Sequence, residues 1–250
     1  MLHWTPLGPP RGAEVPLVDR SSVPVIRSGR RLACTDNVND MRITKFGHAC
    51  VRIEHDGFAV VIDPGAFTEP DAVDGATAVL ITHEHADHYS VEHLARTEAP
   101  IFTVEAVAAK IREEAPDLAP RITVVSPGDA FVAGIGVRAV GELHAVIHDD
   151  YPRIHNSGYL LDVDGYRIFH PGDALTGPGE PIDLLLAPIS APWLKVGEAV
   201  DFVRAVGAPK TLGIHDKVYS DLALGMVDMH MGNLLPAGQE FLRLADGEDL

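Results

Sequence analysis

The chain has 250 residues, enough for one large α/β domain or two small ones. Its apolar share of 46 % supports a sizeable core, yet no apolar stretch reaches the length needed to cross a bilayer. The 36 acidic residues outnumber the 20 basic ones, and the formal charge of −16 repels phosphate backbones, which argues against nucleic acid as a partner.

Residues 1–40 carry Pro6, Pro9, Pro10, Pro16 and Pro24 and show no sustained periodicity, so a poorly ordered or loosely docked extension is expected there. The start, Met1-Leu2-His3-Trp4-Thr5-Pro6, lacks the basic segment and apolar run of a secretory signal. The two cysteines, Cys34 and Cys50, do not form a CxxC pair, and a reduced, cytoplasmic setting is the simplest expectation. At Met41, which could be the natural start, the texture changes, and residues 41–250 are expected to form the functional domain.

Strands are predicted over 42–46, 49–54 and 58–63, separated by Gly47-His48 and by Asp56-Gly57, a strong hairpin signal. An apolar strand over 78–81 runs into a His-rich loop, and Ser90 then caps a helix. A strand over 101–104 leads into a helix over 104–115 that stops before Pro116. Strands follow over 122–125 and 137–143, then a hairpin over 159–163 and 166–170 across Asp164-Gly165. The almost wholly apolar stretch 183–187 reads as a strand buried on both faces. Helices over 196–206 and 220–231 enclose a strand over 211–214. Two β-rich halves, each faced by helices, predict an α/β fold of the four-layer αββα sandwich kind rather than a doubly wound sheet.

The richest stretch is Thr82-His83-Glu84-His85-Ala86-Asp87-His88, which reads His-x-His-x-Asp-His. His83 and His85 are two apart, so a strand end would point both to one side, toward one ion. Asp87 and His88 lie past the turn and could face a second. Imidazole and carboxylate donors suit zinc, manganese or iron, and paired metals suit hydrolysis. Further donors occur where predicted strands meet loops: His144, Asp173 and His215.

This pattern resembles the metallo-β-lactamase superfamily over about residues 41 to 231. Gly47-His48-Ala49-Cys50 and Ile62-Asp63-Pro64-Gly65 are similar to that family's opening hairpin and Asp-bearing strand end. Phe46-Gly47-His48-Ala49 looks most like its branch of ascorbate-6-phosphate lactonase-like and general metal-dependent hydrolases. The resemblance implies a four-layer αββα sandwich of the metallo-β-lactamase type. It implies one metal on His83, His85 and His144, a second on Asp87, His88 and His215, and Asp173 bridging them. It also implies that Asp63 orients a ligand histidine through its free ring nitrogen.

The expected cofactor is therefore a pair of divalent ions, zinc in the first instance, with manganese or iron as alternatives. Hydroxide between the two metals would cleave a small ester, lactone or phosphodiester, with Asp87 or Asp173 shuttling the proton. The expected partner is a small molecule, not nucleic acid and not a membrane. The alternatives are an iron-dependent redox enzyme of dioxygenase type on the same fold, and a metal-binding protein without turnover. His48 could be site-proximal or structural. His148 and His155 flank a polar loop that could touch substrate, and His170 is expected behind the site. Gly172 reads as room for close backbone approach beside Asp173.

Overall fold

The computed structural model describes residues 40–250. The expected extension therefore lies, apart from Asp40, outside the described residues.

The first sheet opens as an antiparallel meander of β1 (Arg42–Gly47), β2 (Cys50–His55) and β3 (Phe58–Ile62). Asp56 and Gly57 both have positive φ, 47° and 80°, as a tight two-residue hairpin requires. The sheet then turns parallel through β4 (Ala78–Ile81), β5 (Ile101–Thr103) and β6 (Ile122–Val124). Its crossovers carry α1 (Val91–Leu94), capped by the Ser90 hydroxyl, and α2 (Glu105–Glu114).

The second sheet repeats this plan. β7 (Ala130–Val132), β8 (Gly136–Val140), β9 (Gly158–Val163) and β10 (Tyr166–His170) are antiparallel. β11 (Leu184–Pro188), β12 (Lys210–Ile214) and β13 (Glu240–Leu242) continue in parallel, with α3 (Val196–Val206) and α4 (Asp221–Leu234) as covers. Finally β14 (Glu248–Asp249) returns to the free edge of β1.

Strand alternation sorts the core into layers. Ala78 and Leu80 of β4 face the second sheet, while Val79 and Ile81 face Leu94, Val107 and Ile111 of the helical layer. Likewise Leu184 and Leu186 of β11 point between the sheets, and Leu185 and Ala187 pack on Val200, Val203 and Leu224. A strand buried on both faces must be continuously apolar, which explains the runs AVLI and LLLAP. The result is the four-layer αββα sandwich. Near the first sheet's loop ends, Ser157 N–H donates to the Thr82 carbonyl at 3.0 Å and the Tyr159 hydroxyl to Ile81 O at 2.9 Å, joining the sheets.

Two local expectations need correction. β8 ends at Val140 and not at 143, because Gly141 takes φ +81° and breaks the extended run. His144 is instead held in a loop by the Leu143–His155 bridge and by its own N–H on Ile154 O at 3.0 Å. Similarly β4 ends at Ile81, so a turn, not pleat alternation, brings His83 and His85 together. The short edge strands β13 and β14 have no apolar run by which to be foreseen, and the run Ala130-Phe131-Val132-Ala133 at β7 is cut short by Gly134.

Candidate metal centre

The loops that follow β3, β4, β10 and β12 meet at one end of the sandwich, as does the turn between β1 and β2. Open sheets with parallel strands expose their binding loops at strand C-termini. Three non-glycine residues here have left-handed backbone: His48 (φ 50°), Asp63 (φ 50°) and His215 (φ 58°). Such strain costs on the order of 1–3 kcal/mol per residue and persists only where surroundings enforce it. The close fit of the loops is visible at Gly65, where a Cβ would lie 2.0 Å from the Asp87 carbonyl. At Gly172, with φ +61°, a Cβ would meet Asn156 Oδ1 at 2.3 Å and Thr82 Cβ at 2.7 Å. Asn156 shapes that turn, accepting from Asp173 N–H and donating to Pro171 O, both at 2.9 Å.

The donors form two groups. His83, His85, His144 and Asp173 can converge on one point, and His48, Asp87, His88 and His215 on another. Asp173 joins them: its Oδ2 lies 3.3 Å from His144 Nε2 and 3.2 Å from His215 Nε2, and its Oδ1 lies 3.2 Å from His88 Nε2. All the donors proposed from sequence are thus brought together.

Hydrogen bonds on the far side of each ring set the tautomer. The Nδ1–H of His88 donates to Asp63 Oδ2 at 2.8 Å. The Nδ1–H of His144 donates to Ala145 O at 2.7 Å, and that of His215 to Ser190 O. Thr82 Oγ1 donates to Asp63 Oδ2 at 2.7 Å and therefore accepts from His83 Nδ1 at 3.0 Å. Each of these rings then turns an Nε2 lone pair into the centre. The Nε2 atoms of His88, His144 and His215 and Oδ1 of Asp173 are buried without any hydrogen-bond partner. Bare buried lone pairs cost about 1–3 kcal/mol each. Lone pairs that crowd one point without bonding to each other fit a cation.

The electrostatics agree. Burial opposes the Asp173 carboxylate, but the charges of His215 and His88 hold it well below the usual range. Burial likewise opposes Asp87, yet the neighbouring His215, His48 and His88 hold its carboxyl well below the usual range. In the protein alone these carboxylates outweigh burial at His88, raised well above its ordinary value, and at His215, raised to about 9. Burial instead pushes His48 down to about 4. The field at this point favours positive charge.

Asp63 is fully buried and accepts from Thr82 N–H at 2.8 Å as well as from the Thr82 hydroxyl and His88. His170 lies behind the site, its Nε2 donating to Ala49 O at 2.9 Å. His148 and His155 are exposed and join neither group of donors. His48, which could have been site-proximal or structural, lies at the site. Its Nδ1 accepts from Lys217 N–H at 3.2 Å, so its Nε2–H donates to Asp87 Oδ2 at 3.0 Å. Its carbonyl also accepts from His215 N–H at 2.7 Å. The Gly47-His48 pair, placed where a hairpin turns, was the available signal.

A four-layer sandwich with His-x-His-x-Asp-His after an inner strand, and further donors at later strand ends, defines the metallo-β-lactamase fold. Comparison with known proteins agrees. The family model described as the β-lactamase superfamily domain matches residues 42–215. A Mycobacterium tuberculosis protein is 38 % identical over 193 residues, covering 74 % of this chain and 89 % of that protein. A metal-dependent hydrolase of Xanthobacter autotrophicus is 28 % identical over 215 residues, covering 80 % of this chain and 73 % of its own. Igni18, a metallo hydrolase from Ignicoccus hospitalis, superposes with a TM-score of 0.67 at 18 % identity, over 84 % of this chain and 97 % of that one. The chain belongs to the β-lactamase superfamily.

Proposed function

We propose that this protein is a metal-dependent hydrolase of small esters, lactones or phosphodiesters, holding two divalent ions. His83, His85 and His144 would hold one, Asp87, His88 and His215 the other, and Asp173 both. The observation that carries this is the set of pre-fixed tautomers, which turn the Nε2 atoms of His88, His144 and His215 inward with no hydrogen-bond partner within the protein. The names of the Xanthobacter and Ignicoccus relatives point the same way. When bound, such ions supply Lewis-acid activation of water and of the electrophilic centre.

The chain's own groups divide the remaining work. The Asp87 carboxylate is 23 % exposed and reaches solvent, so it is assigned the proton transfer between attacking water and leaving group. Asp173, 3 % exposed, holds charge and geometry instead. His48 orients Asp87 by donating to its Oδ2. Burial pushes the Cys50 thiol far above its ordinary range, so it is no nucleophile at neutral pH. The Ser190 hydroxyl is buried and spent on His215 O. Water is then the attacking group.

The test is a screen of lactones, thioesters and phosphodiesters with protein reconstituted separately with zinc, manganese and iron, and His85→Ala as control. Turnover with any of the metals, lost in His85→Ala, supports the proposal. Absence of turnover with all three, or oxygen consumption with iron alone, would move the protein to the redox or binding alternatives.

A further inference from the structure

We infer that the substrate is a carboxylic ester or lactone with an apolar acyl group, gripped by Trp193. This rests on the hydrolase reading above and adds the substrate class.

Trp193 lies in the loop that follows β11. Its ring centroid is 5.4 Å from that of His144 and 6.4 Å from that of His215, so it stands beside donors of both groups. It is only half-buried, packed at one side on the cluster under α3 and α4. Phe67 is 53 % exposed and meets His48, a member of the second group of donors, edge-on at 5.3 Å. Its loop is fixed to the His-rich turn by Ala66 N–H on Ala86 O at 2.8 Å.

A third apolar element rises from His144 itself. The loop over 145–155 is pinned at its base, where Ala145 N–H donates to Asp173 O at 2.7 Å and Arg153 Nε to His144 O at 2.8 Å. Its free part exposes Val146, Ile147 and Tyr151. Single exposed apolar residues are ordinary. Here Trp193 and Phe67 are in ring contact with residues of the donor groups, and the base of the 145–155 loop is hydrogen-bonded to Asp173 and His144. That is the composition of a ligand mouth: apolar walls around a few convergent polar groups.

An apolar acyl group suits such a mouth and makes the reaction the hydrolysis of an ester or lactone. In the reaction the water oxygen bonds to the acyl carbon and the carbon–oxygen bond to the leaving group breaks. One proton of that water passes to the leaving oxygen, giving an alcohol and an acid.

The experiment uses the full chain, metal-reconstituted, on p-nitrophenyl acetate, butyrate and octanoate and on bis-p-nitrophenyl phosphate. We expect kcat/KM to rise at least tenfold from acetyl to octanoyl and to be lowest for the phosphodiester. In Trp193→Ala that octanoyl-to-acetyl ratio should fall toward one, and Trp193→Phe should retain it. Binding is read separately. The chain has two tryptophans, so Trp4→Phe leaves Trp193 as sole reporter. Its fluorescence should respond to octanoate at concentrations at least tenfold lower than to acetate or inorganic phosphate.

Ester hydrolysis without chain-length preference, or phosphate binding tighter than octanoate, would overturn this inference and leave the hydrolase reading standing. No hydrolysis of any substrate, with octanoate still bound at Trp193, would overturn the hydrolase reading while upholding apolar recognition.

Discussion

Replacing Asp63 by Asn tests how the centre is set, because the two side chains share a shape and differ in one donor. Asp63 accepts three hydrogen bonds, from Thr82 N–H, the Thr82 hydroxyl and His88 Nδ1–H, at 2.7 to 2.8 Å. Asn can keep Oδ1 on Thr82 N–H, but an NH2 then faces Thr82 Oγ1 and His88 Nδ1, both donors at present. The hydroxyl can rotate and accept. His88 can answer only by moving its proton to Nε2, which removes the lone pair that faces Asp173. Loss of one charge-assisted bond and a changed tautomer should cost about 1.5–3 kcal/mol of stability. The larger effect falls on metal. Loss of a ligand's orienting partner typically lowers affinity 10–100-fold, and here a ligand itself is blocked, so at least that range is expected for one ion. Activity should fall at least a hundredfold with the other ion still bound. Chelator competition measures the two affinities, and imidazole nitrogen shifts report the His88 tautomer. Unchanged affinity for both ions alongside an Nε2-protonated His88 would refute the view that this ring is a ligand.

Other perturbations test the same architecture. Elemental analysis should find close to two divalent ions per chain, and Asp173→Ala, which lies within 3.3 Å of donors in both groups, should weaken both rather than one. Metal-free protein should be less stable in alkali. The His215 pKa is raised from 6.5 to about 9, so the stability it contributes is full below about pH 6.5 and lost as pH rises through 9. That amounts to about 3 kcal/mol, measurable by urea titration in chelator at pH 6.5 and 9.5, and a flat profile would contradict it. Because all the donors and the core clusters described lie beyond Met41, a chain starting there should keep its metal content and melt within a few degrees of the full chain. A large fall in melting temperature would show that residues 1–40 pack on the domain.

Local chemistry was enough to read much of this protein. The His-x-His-x-Asp-His run, the continuous apolar strands and the Asp-Gly hairpins each carry their signal within a few residues, because strand alternation and turn sterics are local. Hence the four-layer sandwich and the run from His83 to His88 were legible in the sequence, while the metal assignments of these residues and of His144, Asp173 and His215 came only with the family resemblance. What tertiary structure alone decided depends on groups far apart in the chain. His48 reaches Asp87 across 39 residues and receives the Lys217 amide across 169. Which ring nitrogen each histidine offers is set by Asp63, Ala145, Ser190 and Thr82, and a sequence does not state a hydrogen bond's direction. Trp193 has no motif around it. Only the packing of its loop against His144 and His215 makes it a wall of the centre, since an aromatic ring acquires a function from its neighbours rather than from its place in the chain.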